Sequence, residues 1–128
     1  MAVRQVRLVV TASDYDEAVR FYRDVLGLPE RAAVSAPDRR VAILDAGLAT
    51  LELAEPATAE FIDRVEVGRR VAGHIRVALE VDDVQATTSA LAAAGAEVIA
   101  EPRPTPFHST NARLSGPAGL QLTLFQMD

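Results

Sequence analysis

The sequence predicts an α+β fold in which two βαβββ units share one concave cleft. Three observations carry this. The stretch Gln5-Val6-Arg7-Leu8-Val9-Val10-Thr11-Ala12-Ser13-Asp14 returns as His74-Ile75-Arg76-Val77-Ala78-Leu79-Glu80-Val81-Asp82-Asp83. Gln5, Arg7 and Asp14 each precede their counterparts His74, Arg76 and Asp83 by the same 69 positions (74 − 5). In the later copy Ile75, Val77, Leu79 and Val81 alternate with His74, Arg76, Ala78 and Glu80, the period of a half-buried strand. Finally, each copy leads into a helical run that stops at a glycine, Gly27 or Gly95.

Residues 3–11 form the first predicted strand. Ser13 and Asp14 are N-cap candidates, and Asp14 with Glu17 has capping-box spacing. The helix that follows places Ala18, Phe21, Tyr22, Val25 and Leu26 on one face and ends at Gly27 and Pro29. This makes Phe21 and Tyr22 core residues. Strands are expected at about 31–36, 40–45 and 48–54, with turns at Pro37-Asp38 and Ala46-Gly47. Residues 55–73 read as a connector with a short helical turn at 59–64. The order then repeats: strand 74–81, helix 83–94, and strands near 96–100, 107–114 and 120–126. Proline-rich 101–106 and the turn Gly116–Gly119 punctuate the last three. The chain thus reads as one domain, 1–128, with units 1–54 and 74–128.

Composition narrows the chemistry. There is no cysteine, so disulfides and thiolate sites are excluded, and no lysine, so Schiff-base chemistry is too. A net charge of −5 with scattered arginines leaves no basic stripe for nucleic acid. Neither a membrane span nor a signal-peptide pattern is legible, and the expectation is a cytoplasmic protein.

If the units pair about a pseudo-two-fold axis, helices cover one side of the sheet. Alternation then sends Gln5, Arg7, Glu52, His74, Arg76, Glu80, Gln121 and Thr123 to the other side, joined by Asn111 and Arg113. So many polar groups are costly to bury without partners, which points to a wet or ligand-filled cleft. Gln5, Glu52 and His74 would make an N,O,O donor set for zinc, nickel, cobalt or manganese, with Glu52 also available as a base. The alternative is that His74 is a hydrogen-bonded structural histidine. Arg7 and Arg76 would either clamp a substrate carboxylate or phosphate, or pair with Glu52 and Glu80. Asn111, Arg113, Gln121 and Phe125 complete the expected small-molecule contacts, with Phe107 a further aromatic wall. His108 reads as a loop residue.

These stretches, in order, also carry a resemblance. SDYDEAVRFYRDVLGLP, GLATLELAEP, HIRVALEVDDV, the AAAGAEV helix end and the closing GPAGLQLTLF together resemble the vicinal oxygen chelate superfamily of glyoxalase I, extradiol dioxygenases, and fosfomycin and bleomycin resistance proteins. The resemblance covers essentially the whole chain. It implies four metal-ligand positions on the first and last strands of each unit, matched here to Gln5, Glu52, His74 and Thr123. The fourth departs from the pattern, which typically has glutamate there, and the turn reads GPAG rather than DPDG. In glyoxalase I that glutamate is implied as ligand and base, so only Glu52 remains for proton abstraction. The dioxygenase pattern of two histidines and a carboxylate is not met. The resemblance implies a homodimer with sites at or near the interface. Two functions stay open: a divalent-metal-assisted lyase or isomerase for a small anionic oxygenated metabolite, or metal-free ligand or antibiotic binding of the bleomycin-resistance type.

Overall fold

The structure, a computed structural model, describes residues 2–36 and 39–128. Eight strands form one sheet in the order β2-β3-β4-β1-β5-β8-β7-β6. They are β1 (Val3–Thr11), β2 (Glu30–Val34), β3 (Val41–Ala46), β4 (Ala49–Ala54), β5 (Ile75–Val81), β6 (Glu97–Thr105), β7 (Ser109–Ser115) and β8 (Gln121–Met127). The order is its own mirror about the β1–β5 seam, which is what two βαβββ units related by a two-fold axis produce. β1–β4 and β5–β8 pair in parallel, and β1–β5 pair antiparallel. Leu8 lies opposite Val77 in that register. These two are also 69 residues apart in sequence, so the pseudo-axis passes between them.

Helices α1 (Tyr15–Val19) and α3 (Val84–Ala93) start at matched caps. The Asp14 carboxylate accepts from the Glu17 N–H at 3.1 Å, and that of Asp83 from the Ala86 N–H at 2.9 Å. Each cap satisfies a backbone donor that the helix leaves open. Both helices cover the outer side of the sheet. Val19 packs with Ala42, Leu44 and Leu53 under α1, while Val84 packs with Val81, Ala112, Leu114 and Leu124 under α3. Gly27 and Gly95 take φ of 87° and 110°, a region that disfavours side chains, and so end the two helical runs.

Three elements differ from expectation. α1 continues as a π-helical stretch over Arg20–Val25, with the Leu26 N–H donating to the Phe21 carbonyl five residues back. The wider turn rotates the following side chains off the core face. Phe21, Val25 and Leu26 are consequently exposed, and Phe21 is not a core residue. The proline-rich segment does not break a strand: β6 runs through Pro102 and Pro104 with shifted register. It can do so because it is an edge strand, where proline forfeits no ladder bond. The expected turn in the connector is a full helix, α2 (Pro56–Glu66), started by proline at its first position. It packs against β6 and β7. The expected turn at Pro37-Asp38 lies outside the described residues. Among those described, no helix is long and apolar enough to cross a membrane.

Candidate functional site

Between the inner face of the sheet and α2 lies a cavity of about 520 Å3. Its walls are largely apolar, with Val41 and Ile43 from β3, Phe61 and Ile62 from α2, Phe107 from the β6–β7 turn and Met127 from β8. Its floor is charged. Arg7, Glu52, Arg76 and Thr123 reach it from β1, β4, β5 and β8, the four strands around the pseudo-axis, and Asn111 and Phe125 lie beside them.

The β1–β5 register explains which residues meet. Val9 stands opposite both Glu52 and Arg76, and Ala78 opposite Thr123. Small or aliphatic residues at the axis let the flanking charged groups converge, and Val9, Ala78 and Phe125 pack together beneath them. The Arg7 guanidinium lies 4.7 Å from the centre of the Phe125 ring, a cation–π arrangement. Its Nε donates to Gln5 Oε1 at 2.6 Å, and its Nη1 approaches Glu52 Oε1 at 3.8 Å.

Glu52 is buried, and burial raises its pKa above the usual carboxylate range despite the nearby Arg76 and Arg7. Arg76 is 6% exposed, and desolvation lowers its pKa. Its side chain makes one hydrogen bond among the described residues, from Nη1 to Thr123 Oγ1 at 2.8 Å. Among the described residues no carboxylate lies within 4 Å of it.

Behind the floor is a closed ionic network. Arg113, fully buried, donates from Nη1 to Asp63 Oδ1 at 2.8 Å and to Gln121 Oε1 at 2.7 Å, and from Nη2 to Glu66 Oε1 at 2.7 Å. Asn111 Nδ2 donates to Glu66 Oε2 at 2.7 Å. Asp63 Oδ2 accepts from the Val71 and Ala72 N–H groups, each at 2.8 Å, and from Arg70 at 2.9 Å. Burial alone would raise the Asp63 pKa, but these backbone donors with Arg113 and Arg70 hold it below its ordinary value. The network pins α2 and the connector to β7 and β8, and so fixes one wall of the cavity.

The expected site residues therefore separate. Arg7, Glu52, Arg76, Asn111 and Phe125 line the cavity. Arg113 and Gln121 do not: Arg113 is taken up by α2, and Gln121 by Arg113 and the Val71 carbonyl at 3.2 Å. Gln5 pairs across the seam with Glu80, whereas the His74 carbonyl is bonded to the Thr11 N–H. Six strand steps separate Gln5 from Thr11, about 20 Å at strand rise. His74 is also exposed and precedes β5. Gln5, Glu52 and His74 cannot hold one ion.

The fit to an implied divalent metal fails on the donors present. The neighbours of Glu52 and Thr123 are guanidiniums, which are cationic and carry no acceptor. No group of three or more histidine, cysteine, aspartate or glutamate side chains converges as a metal site among the described residues.

Sequence reasoning missed α2 as a source of site residues: Phe61, Ile62, Asp63 and Glu66 were assigned to a connector. A signal existed. Pro56 followed by a run free of glycine marks a helix start, and Thr58, Ile62 and Glu66 recur at its four-residue spacing.

Comparison with known proteins agrees with this architecture. A family model described as Glyoxalase/Bleomycin resistance protein/Dioxygenase superfamily matches residues 4–124. No curated protein matches the chain. Among solved structures, a hypothetical protein from Bacillus halodurans superposes with a TM-score of 0.74 at 18% identity, covering 100% of this chain and 96% of that one. A Streptomyces coelicolor methylmalonyl-CoA epimerase variant in complex with 2-nitronate-propionyl-CoA gives 0.70 at 22% identity, covering 98% and 99%. A glyoxalase/bleomycin resistance protein/dioxygenase superfamily member from Vibrio splendidus gives 0.65 at 17% identity, covering 98% and 99%. At such identities the likeness shows the fold.

Proposed function

The chain belongs to the glyoxalase/bleomycin resistance protein/dioxygenase superfamily, and from that premise we propose that it binds a small organic molecule in the cavity under α2 without a divalent ion at its centre. One observation carries the reading: the floor positions beside Glu52 and Thr123 present the guanidiniums of Arg7 and Arg76, where metal chemistry needs electron-pair donors. The cavity falls within the size range of small-molecule sites, and its apolar walls around a few polar groups are their usual composition. Of the two functions open at the outset, metal-free ligand binding thus takes precedence over metal-assisted lyase or isomerase chemistry.

The test is a compound library scored by melting temperature, with and without prior dialysis against chelator. Hits should shift the protein equally in both conditions and lose their effect on Ile43→Trp, which fills the cavity from β3. Hits that need added metal, or that ignore the Ile43→Trp change, would contradict the reading.

A second reading is favoured by Glu52. Its carboxyl lies at the cavity with a raised pKa, beside cations able to stabilise an oxyanion. That arrangement suits metal-free proton transfer. Glu52→Gln would then keep ligand binding and lose turnover, whereas a pure binder would show no turnover to lose.

We also infer a homodimer. Val6, Leu8 and Ile75 are exposed on the outer face at the pseudo-axis, between the areas covered by α1 and α3. Sedimentation velocity across a concentration series would show the dimer, and a strictly monomeric protein would contradict it.

A further inference from the structure

One cation at the cavity lacks a contact counter-ion among the described residues. Arg113 is neutralised by Asp63 and Glu66, and Asp63 also holds Arg70. Arg7 has Glu52 at 3.8 Å. The cavity itself is lined by three guanidiniums (Arg7, Arg39, Arg76) and two carboxylates (Glu52, Glu66), and Arg76 feels Glu66 and Glu52 only at longer range, with no carboxylate within 4 Å among the described residues. It is also among the most buried of them, lines the cavity, and spends one N–H donor on a protein acceptor, Thr123. An unpaired buried cation is a large penalty unless something supplies the missing anion.

Position narrows what that anion is. Arg76 and Arg7 flank the pseudo-axis on the same floor, so one anionic head group can sit between them. The walls above that floor, Ile43, Phe61, Ile62 and Phe107 among them, are largely apolar, with Arg39, Thr58 and Ser109 as their polar members. An inorganic anion would satisfy the floor and leave the walls wet.

We propose that the ligand is an amphiphilic organic monoanion, a carboxylate on an apolar body, with its acid group held by Arg76 and Arg7 and its body against α2 and β3. This deepens the reading of the cavity as a ligand site and rests on it. One negative charge supplies the contact counter-ion that Arg76 lacks among the described residues. A planar carboxylate also matches the guanidinium fork, which gives paired, charge-assisted hydrogen bonds.

The experiment is calorimetric titration with matched acid and primary-amide pairs whose bodies are linear, branched and phenyl-substituted chains of graded length. Acetate and inorganic phosphate serve as head-group controls. The best acid should bind about tenfold to a hundredfold tighter than its amide, and more tightly than acetate or phosphate. Arg76→Met should abolish the acid preference, and Arg76→Lys, which keeps the charge, should retain part of it. Amides binding as tightly as acids, and losing binding on Ile43→Trp, would overturn the anion while leaving the cavity as a ligand site. Acetate or phosphate binding as tightly as any longer acid would overturn the apolar body. Failure of every pair overturns the inference, and the library screen then decides whether the cavity binds anything.

Discussion

If Arg76 serves a ligand, removing it should stabilise the empty protein. In Arg76→Met the apolar replacement retains most of the volume and removes a buried charge that has no carboxylate within 4 Å among the described residues. The desolvation penalty of a buried ion is several kcal/mol after relaxation. Against its relief stands the lost bond to Thr123, a hydrogen bond to a charged group worth about 1.5–3 kcal/mol. Thr123 is not orphaned by the change, because its hydroxyl also lies 3.5 Å from Glu66 Oε1. The balance favours the variant by about 1–3 kcal/mol, or about 3–10 °C in melting temperature for a chain of this size.

The assay is thermal and urea unfolding at neutral pH in a buffer free of organic acids. Arg113→Met is the control, since it is the same substitution at a guanidinium that has partners. There Glu66 would be left buried without its cation and Asp63 with only the partly exposed Arg70, and a loss of about 3–5 kcal/mol is expected. Opposite signs for one chemical change at two buried arginines would mark Arg76 as functional and Arg113 as structural. A loss at Arg76 comparable to that at Arg113 would refute the reasoning.

Further outcomes follow from the same electrostatics. Burial raises the folded pKa of Glu52, so its contribution is complete below the unfolded value of about 4.3 and is lost as pH rises through the folded value. Glu52→Gln should therefore gain stability relative to wild type at pH 8, and the gain should shrink on acidification. A pH-independent difference in urea unfolding would contradict this. Asp63 has the opposite sign, its folded pKa being depressed. Asp63→Asn should cost about 3–5 kcal/mol at pH 7, with the deficit fading as pH falls through the unfolded value of about 3.9 and below. Because Asp63 also accepts from Val71 and Ala72, amide exchange at those two positions should accelerate in Asp63→Asn. Unchanged exchange would mean that the carboxylate does not hold the connector.

Much of the fold was legible because a sequence repeat is also a statement about symmetry. The 69-residue offset and the alternation of β1 and β5 are enough to expect two like units and a polar inner face. The centre of that face was not legible, and the reason is geometric. Gln5, Arg7, Val9 and Thr11 all point to one side of β1, as do His74, Arg76 and Ala78 of the second copy, and a slip of two residues changes no face. Only the pairing of Leu8 with Val77 decides that Arg7 and Arg76, rather than Gln5 and His74, come to the axis beside Glu52. A donor set chosen by residue type favoured the histidine; the ladder brings the arginines.

Arg113 illustrates a second limit. Its place on the inner face was readable, but the acids that consume it come from α2, a helix docked by tertiary contacts. The exposure of Phe21 is a third case, since helical periodicity assumes four-residue closure and a π turn breaks the count.

The central claim is that guanidiniums, and not a metal ion, occupy the middle of this cavity. The most direct test is elemental analysis of protein purified without chelator and then dialysed against zinc, nickel, cobalt and manganese in turn, alongside Glu52→Ala. The account predicts trace metal that is the same in both proteins. Near-stoichiometric metal in the wild type that disappears in Glu52→Ala would contradict it.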